Sequence, residues 1–136
     1  IRQRVELVNY FALSTFGALG SYGLLDRYEV RPTYYTYAMY GHFGSELVYS
    51  ASDIPDVSVT AALRADGALT LMIVNLATTE QTVPITIAGR DGAIEAEVWL
   101  LDADHDAEAV EPRTIESSSS ITLDPASVTL FVIPPV

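Results

Sequence analysis

The fold class of this chain is indicated by residues 57–63, Val-Ser-Val-Thr-Ala-Ala-Leu, and by the turn pair Asp66-Gly67 that follows them. Apolar residues alternate with small or polar ones in this stretch, which is the period-two pattern of a half-buried β-strand. Asp-Gly is a favoured hairpin turn, so the chain is expected to return as a second strand over residues 68–76. That second strand is apolar on most of both faces, which predicts a central place in a sheet.

Short alternating segments continue toward the C-terminus, separated by turn residues about every ten positions. The further predicted strands cover residues 83–87, 94–100, 121–123 and 127–133. Pro84 implies an edge position for the first of them, because proline cannot donate to a ladder on both sides. The stretch from Asp102 to Glu111 is predicted to be an acidic loop. Together these signals predict an antiparallel β-sandwich over residues 53–136.

The first fifty residues have a different pattern. Pro32 is typical of the first turn of a helix, and apolar residues then recur at steps of four at Tyr35, Met39, Phe43 and Leu47. This spacing predicts a helix of about four turns with one apolar stripe. The end of a helix over 2–8, a strand over 10–16 and a glycine-containing loop over 17–28 are expected before it.

The predicted fold is therefore mainly β, with a strand-loop-helix piece over residues 1–52 and a sandwich domain over 53–136. The apolar stripe of the helix has to be covered by the sandwich or by a neighbouring chain. This requirement predicts a homo-oligomer.

Length and charge exclude several classes of protein. The chain has 136 residues, with 7 Lys+Arg against 18 Asp+Glu, a net charge of −11 and no cysteine. A complete (β/α)₈ barrel needs about 250 residues, and nucleic-acid binding needs clustered cations. No apolar run reaches the roughly 18 residues of a membrane-spanning helix, so no membrane partner is expected. The chain opens with Ile1, and Glu6 interrupts the apolar stretch that a secretory signal would need; we expect a piece cut from a longer protein, with a cytoplasmic location favoured.

A metal site is the first chemistry to consider. Asp102, Asp104 and Asp106 have the spacing that opens a calcium loop, which also needs glycine at its sixth position and glutamate at its twelfth. Those positions hold Ala107 and Arg113. A solvated acidic loop without a metal is the favoured interpretation.

Paired carboxylates and histidines are the second kind of chemistry to consider. Glycosidic cleavage needs two acids about 5–10 Å apart, and nothing in the sequence suggests that Glu6, Glu29 and Glu46 converge. His42 and His105 have no ligand spacing. No catalytic residue and no cofactor is predicted from these residues.

Aromatic residues that could bind a ligand are the third feature to consider. The predicted helix carries four tyrosines: Tyr34, Tyr35, Tyr37 and Tyr40. Such a cluster is more often core or interface than a ligand platform, because tyrosine supplies a large buried area with a polar tip. Trp99 shares the polar side of its predicted strand with glutamates, so it either stacks on a sugar ring or packs against the helix of the first half. Packing is the favoured interpretation.

Three segments resemble a known family: residues 4–9 (Arg-Val-Glu-Leu-Val-Asn), residues 31–48 from Arg-Pro-Thr-Tyr-Tyr onward, and residues 123–130 (Leu-Asp-Pro-Ala-Ser-Val-Thr-Leu). They are similar to the end of the catalytic barrel and the following β-sandwich in clan A glycoside hydrolases. The α-L-arabinofuranosidases of family 51 are the nearest, with the β-xylosidase type behind them. In that family the first segment ends the seventh helix, the second closes the barrel, and the third introduces the last strand of the sandwich.

The resemblance implies that the catalytic machinery lies elsewhere. The family's two catalytic glutamates stand on the fourth and seventh barrel strands, which would precede Ile1, and no residue here matches either. The resemblance therefore implies a chain that is inactive alone, a missing N-terminal barrel as its partner, and a parent acting on arabinose- or xylose-containing glycans. The loop over 17–28 would border a sugar subsite, which makes Tyr22 a candidate carbohydrate contact. Trp99, on the polar side of its strand, is the other candidate. A carbohydrate-binding module that uses Trp99 and the surface tyrosines is the alternative.

Overall fold

Antiparallel β-strands make up most of the fold. The computed structural model describes residues 9–10, 12–15 and 23–135. In chain order the elements are β1 (Ser14–Thr15), β2 (Leu25–Asp26), β3 (Glu29–Val30), α1 (Pro32–His42), β4 (Glu46–Val48), β5 (Val57–Leu63), β6 (Leu69–Asn75), β7 (Gln81–Thr86), β8 (Ala93–Leu101), β9 (Asp106–Glu116), β10 (Ser118–Leu123) and β11 (Ser127–Ile133). The predicted mainly β fold, an antiparallel sandwich preceded by a strand-loop-helix piece, is confirmed, with three short strands before the helix.

The larger layer of the sandwich is a six-stranded sheet with the order β4-β5-β6-β11-β8-β9, in which every neighbouring pair is antiparallel. The predicted central strand is β6, which pairs with β5 on one side and β11 on the other. The smaller layer has two strands, β7 and β10. Within the described residues β7 pairs only with β10, which confirms the edge position implied by Pro84. In the N-terminal part β2 pairs with β1 in parallel and with β3 antiparallel.

The six-stranded sheet is covered on both faces by different elements. Neighbouring residues of β11 point to opposite faces: Phe131 belongs to one apolar cluster and Leu130 to the other. The first face packs against β7 and β10, and we call it the strand-covered face. The second packs against α1, and we call it the helix-covered face. Two apolar faces explain why β6 and β11 are each apolar at five of seven positions.

The helix is shorter than its sequence pattern predicts. It ends at His42, and Phe43 follows with extended backbone. The Gly44 N–H donates a 2.9 Å hydrogen bond to Oγ1 of Thr70 on β6, and a Cβ at Gly44 would lie 2.5 Å from the carbonyl oxygen of Leu63. The prediction of a helix reaching Leu47 is therefore wrong, because the chain at Gly44 is held against the sheet backbone and cannot continue the helix.

The residues after Gly44 form β4 instead. Leu47 lies in this strand with 52% of its surface exposed, so it is not part of the buried stripe. Glu46, expected near the end of the helix, pairs with Leu63 of β5. Residues 46–48 thus belong to the six-stranded sheet although they precede the predicted domain boundary at residue 53.

The predicted acidic loop is mostly a strand. Residues 102–105 form the turn, and the rest of the stretch belongs to the eleven-residue strand β9, which pairs with β8. Its acidic side chains, such as Asp106 and Glu108, are exposed at the edge of the sheet, while Ile115 is buried. The loop prediction is wrong because backbone pairing with β8 stabilises a strand that the charge pattern alone does not indicate.

The predicted helix over 2–8 and the loop over 17–22 lie outside the described residues. Of the predicted strand over 10–16, the structure describes β1. Among the helical residues that the structure describes, no segment has the length and apolar character needed to cross a membrane.

Candidate functional site

The contact between α1 and the sheet brings together most of the residues singled out in the sequence. Met39 is fully buried at its centre. It packs in a cluster with four buried residues on or next to β6 and β11, namely Ala68, Met72, Leu130 and Val132. The partly buried members of the cluster are Phe43, Trp99, Leu101, Ala107 and Val128. The helix therefore packs directly on the six-stranded sheet and shares an apolar cluster with it.

Trp99 lies in this contact. It is on β8, between Leu130 of β11 and Ala109 of β9, and it is partly buried. The His42 ring stacks on its indole, with ring centroids 3.6 Å apart and planes inclined by 22°. The tryptophan thus packs against the helix, as the favoured interpretation predicts. Sugar binding at Trp99 stays a prediction.

The outer side of α1 carries exposed aromatic residues. Tyr34, Tyr37 and Tyr40 are each more than a third exposed and recur at steps of three, so they form a row about 9 Å long on the helix surface. Tyr10 contacts Tyr37 edge to face at 5.9 Å. We call these four residues the tyrosine face. The other candidate carbohydrate contact, Tyr22, lies outside the described residues.

Tyr35 brings α1 close to the edge of the sheet, where its hydroxyl lies near the Asp106 carboxylate of β9. Partial burial, the neighbouring Asp106 carboxylate and the negative charge of Glu108 raise the pKa of the Tyr35 hydroxyl. Tyr35 therefore stays protonated beside β9.

The turn between β8 and β9 is organised by Asp102. Its Oδ1 accepts hydrogen bonds from the backbone N–H groups of Asp104 and His105, at 2.8 and 2.9 Å, and lies 2.9 Å from Nδ1 of His105. Burial alone would raise the pKa of Asp102, but the hydrogen bonds from Asp104 and His105 lower it overall. The hydrogen bond to Asp102 raises the pKa of His105 against the opposing effect of burial. The pair is an ion pair when the histidine is protonated.

The Asp102 carboxylate is therefore hydrogen bonded to residues of its own turn. No group of three His, Cys, Asp or Glu side chains that could hold a metal ion occurs in the part of the chain that the structure describes. The Asp102, Asp104 and Asp106 series is split between a turn and a strand, so it does not form one continuous loop.

The structure does not bring the candidate glutamates together. Glu29 is exposed on β3 in the three-stranded sheet, whereas Glu46 is exposed on β4 at the edge of the six-stranded sheet. Glu6 lies outside the described residues. The two glutamates that are described therefore belong to separate sheets.

Sequence reasoning missed two contacts in this region. His42 follows Met39 by three positions, so it lies on the same helix side, and this spacing was an available signal for the stack on Trp99. The pairing of Tyr35 with Asp106 had no such signal, because it depends on where β9 lies beside the helix.

Comparisons with known proteins place most of the sandwich in one family. The model of the D-apionate lactonase C-terminal immunoglobulin-like domain matches residues 55–130, which is more than half of the chain. No curated protein matches the chain in sequence.

Solved structures share the fold. A glycoside hydrolase family 30 subfamily 8 xylanase from Clostridium acetobutylicum is 16% identical, with a TM-score of 0.73 over 83% of this chain and 31% of that chain. A bifunctional glucanase-xylanase from a metagenome library is 34% identical, with a TM-score of 0.58 over 69% of this chain and 19% of that one. An arabinofuranosidase is 20% identical, with a TM-score of 0.56 over 68% of this chain and 26% of the other. The chain spans less than a third of the length of each of these proteins.

Proposed function

The chain belongs to the family of D-apionate lactonase C-terminal immunoglobulin-like domains, and from this premise we propose that it is the accessory C-terminal region of a larger carbohydrate-active enzyme. In this proposal residues 1–52 contain the end of the catalytic barrel, with β4 within them joining the sheet of the supporting domain, which is otherwise formed by residues 53–136. The chain holds no catalytic residue of its own, and its role is to cover and position the catalytic domain.

The observation that carries the proposal is the two-sided use of α1. One side is buried on the sheet through Met39 and through the stack of His42 on Trp99. The other side presents the tyrosine face. Clustered exposed apolar surface marks an interaction site, and tyrosine is enriched at interfaces because it combines a large apolar body with a polar tip. We infer that the tyrosine face packs against the catalytic domain.

The finer proposal concerns the parent reaction. A glycosidase of the α-L-arabinofuranosidase type, acting on arabinose- or xylose-containing glycans, is supported by the resemblance of residues 31–48 and by the xylanase and arabinofuranosidase among the similar folds. A lactonase parent is the second candidate, because the matching family is named for D-apionate lactonase.

Activity assays of the purified chain test the absence of catalysis. We expect no hydrolysis above buffer of an aryl arabinofuranoside, an aryl xyloside or a sugar lactone. Turnover that is lost in Glu29→Gln or Glu46→Gln would contradict the proposal, because it would show that one of these two candidate glutamates is catalytic. The same substrates offered to the whole enzyme distinguish a glycosidase parent from a lactonase parent.

The carbohydrate-binding alternative has a direct spectroscopic test, because Trp99 is the single tryptophan of the chain. We expect blue-shifted emission that xylo- and arabino-oligosaccharides do not change. His42→Ala uncovers the indole and is the positive control for a red shift. Calorimetric binding that is abolished by Tyr22→Ala or Trp99→Phe would favour the alternative.

We further propose that the chain forms a homo-oligomer. Leu47 and Tyr49 are exposed at the β4 edge of the sheet and support this assembly. The predicted apolar stripe of the helix no longer supports it, because Met39 is already buried on the sheet. Sedimentation at high concentration is the test, and a strictly monomeric profile would contradict the proposal.

A further inference from the structure

An apolar groove of about 740 Å³ opens on the strand-covered face. Its floor is formed by β5 and β6, and β7 forms one wall. The segment over 48–54 forms the opposite wall, and residues 88–90 flank one end. The groove exists because a two-stranded layer lies over a six-stranded sheet, so the β5 side of the sheet has no strand above it in the described residues.

The groove is where the main apolar core is incomplete. Eight partly buried apolar residues pack against that core. Six of them line the groove: Val48, Ile54, Val59, Leu69, Ile85 and Ile87. Partial exposure of core side chains is therefore concentrated at this one place, and an occupant of the groove would bury them.

The β7 wall also presents backbone groups. The Ile87 N–H donates a 2.8 Å hydrogen bond to Ser117, which precedes β10. Because the hydrogen-bonding direction alternates along a strand, the N–H groups of Val83 and Ile85 point toward β10. Those of Thr82 and Thr86 point toward the groove, as does the C=O of Pro84. This edge pairs with no other strand of the described residues.

We propose that an extended segment of the catalytic-domain polypeptide adds to β7 as a third strand of the smaller layer and fills the groove. This inference rests on the proposed function for the origin of the segment. A strand supplies both things that the groove lacks, namely backbone partners for the β7 edge and apolar side chains on the alternate positions that face β5 and β6. The source is argued from length, since the chain spans only 19–31% of the three similar structures described above.

Pro84 favours a strand of different sequence over a second copy of this chain. Proline on an exposed edge is a common protection against unwanted pairing. In any two-fold pairing of β7 with β7, two backbone hydrogen bonds cannot form, because Pro84 of each copy has no N–H to donate. When β7 pairs with a strand from the catalytic domain, only one such hydrogen bond cannot form.

Backbone hydrogen exchange in the full-length enzyme tests the proposal residue by residue. We expect the Thr82 and Thr86 amides to exchange roughly tenfold or more slowly than those of Ser120 and Thr122. Ser120 and Thr122 are the matched controls, because their N–H groups face the other edge of the same two-stranded layer; the Thr122 carbonyl on that edge accepts from Arg113. The inward amides of Val83 and Ile85 report that β7 is folded.

A charged substitution in the floor of the groove sharpens the test. Val59→Arg is expected to remove the protection of Thr82 and Thr86 while that of Val83 and Ile85 persists. Leu76→Arg, at a position that is 70% exposed away from the groove, is expected to change none of the four.

The outcomes separate the possible occupants. Thr82 and Thr86 amides that exchange as fast as the controls overturn the proposal, including the case in which a small apolar molecule fills the groove. Protection that disappears on dilution identifies a second copy and also overturns it. Either result leaves the proposed function standing, because that function is tested by turnover and not by the β7 edge.

Discussion

The two faces of the six-stranded sheet are covered to different extents. On the helix-covered face a single helix of eleven residues buries Met39 completely and places His42 over Trp99. On the strand-covered face β7 and β10 bury Phe131 completely but leave a groove above β5. Both faces have the same strands beneath them, so the difference comes from the covering elements.

The difference shows which parts of this chain are complete by themselves. A helix about 10 Å wide covers the sheet beside β8 and β9 without needing backbone partners, because its own hydrogen bonds are internal. A two-stranded layer has two open edges, and its inner edge in this chain lies over apolar side chains. The helix-covered face is therefore closed beneath α1, although Leu47 at its β4 edge stays exposed. The strand-covered face has a groove above β5.

Alanine substitutions of the neighbours Phe131 and Leu130 compare the two faces directly. Both side chains are fully buried, so we expect losses of about 3–5 kcal/mol for Phe131→Ala and about 2–5 kcal/mol for Leu130→Ala in the free energy of unfolding by urea. Leu76→Ala is the exposed control and should stay within about 0.5 kcal/mol. Because Leu130 pairs with Trp99, only Leu130→Ala is expected to shift the tryptophan emission of the folded state. Equal shifts in both variants would contradict the separation of the faces.

The junction between α1 and β4 is tested by two glycines. Gly44→Ala places a methyl group against the backbone of Leu63 and is expected to destabilise the protein by about 1–3 kcal/mol. Gly41→Ala is the matched control, because a Cβ there meets nothing within 4 Å and alanine favours the helix by about 0.5–1 kcal/mol. Thermal unfolding of both variants should give shifts of opposite sign. A neutral Gly44→Ala would contradict the account of why the helix ends.

Thr70 links the end of the helix to the sheet. Its buried hydroxyl accepts from the Gly44 N–H and donates to the Ala62 carbonyl. Thr70→Val keeps the shape and removes both bonds, so we expect a loss of about 1 kcal/mol or somewhat more. Thr122→Val, at an exposed position, is the control and should be nearly neutral. Denaturant unfolding measures both, and equal effects would argue against a structural role for the Thr70 hydroxyl.

The Asp102–His105 pair is expected to give the smallest effect. Because the pKa of His105 is raised, its contribution to stability is present below the ordinary histidine value and is lost as pH rises through the raised pKa. Because the pKa of Asp102 is lowered, its contribution is present above the ordinary carboxyl value and is lost as pH falls through the lowered pKa.

The difference in melting temperature between the wild type and Asp102→Asn should therefore be largest between about pH 4 and 6.5 and should shrink above the pKa of His105. An NMR titration of His105 should show a lower pKa in Asp102→Asn than in the wild type. A difference in melting temperature that is independent of pH would show that the charge of Asp102 does not matter.

Much of the sandwich was predictable from local pattern. The alternation over 57–63, the Asp66-Gly67 turn and the two apolar faces of β6 correctly indicate a hairpin in the middle of a sheet. Pro84 correctly indicates an edge strand. These predictions hold because strand periodicity and turn chemistry act over a few residues.

The candidate site was less predictable. Trp99 and Met39 were singled out from sequence, yet their contact depends on how α1 lies across β8 and β11. β9 was missed because its many charges resemble a solvated loop, and the pairing with β8 that stabilises it involves residues up to 23 positions away. Tyr22 was proposed from a resemblance and lies outside the described residues.

The amino-acid sequence by itself determined which segments alternate, where the hairpins turn, and that the strand over 68–76 must be buried on both sides, because side-chain periodicity is a local property of the backbone. Only the tertiary structure decided that the helix ends at His42, because Gly44 lies against the backbone of Leu63, nineteen residues later. It also decided that α1 closes the part of one face over β8 and β11 while the smaller layer leaves the other face with a groove. Those outcomes depend on the fit between surfaces distant in the chain, and no periodicity along the chain encodes that fit.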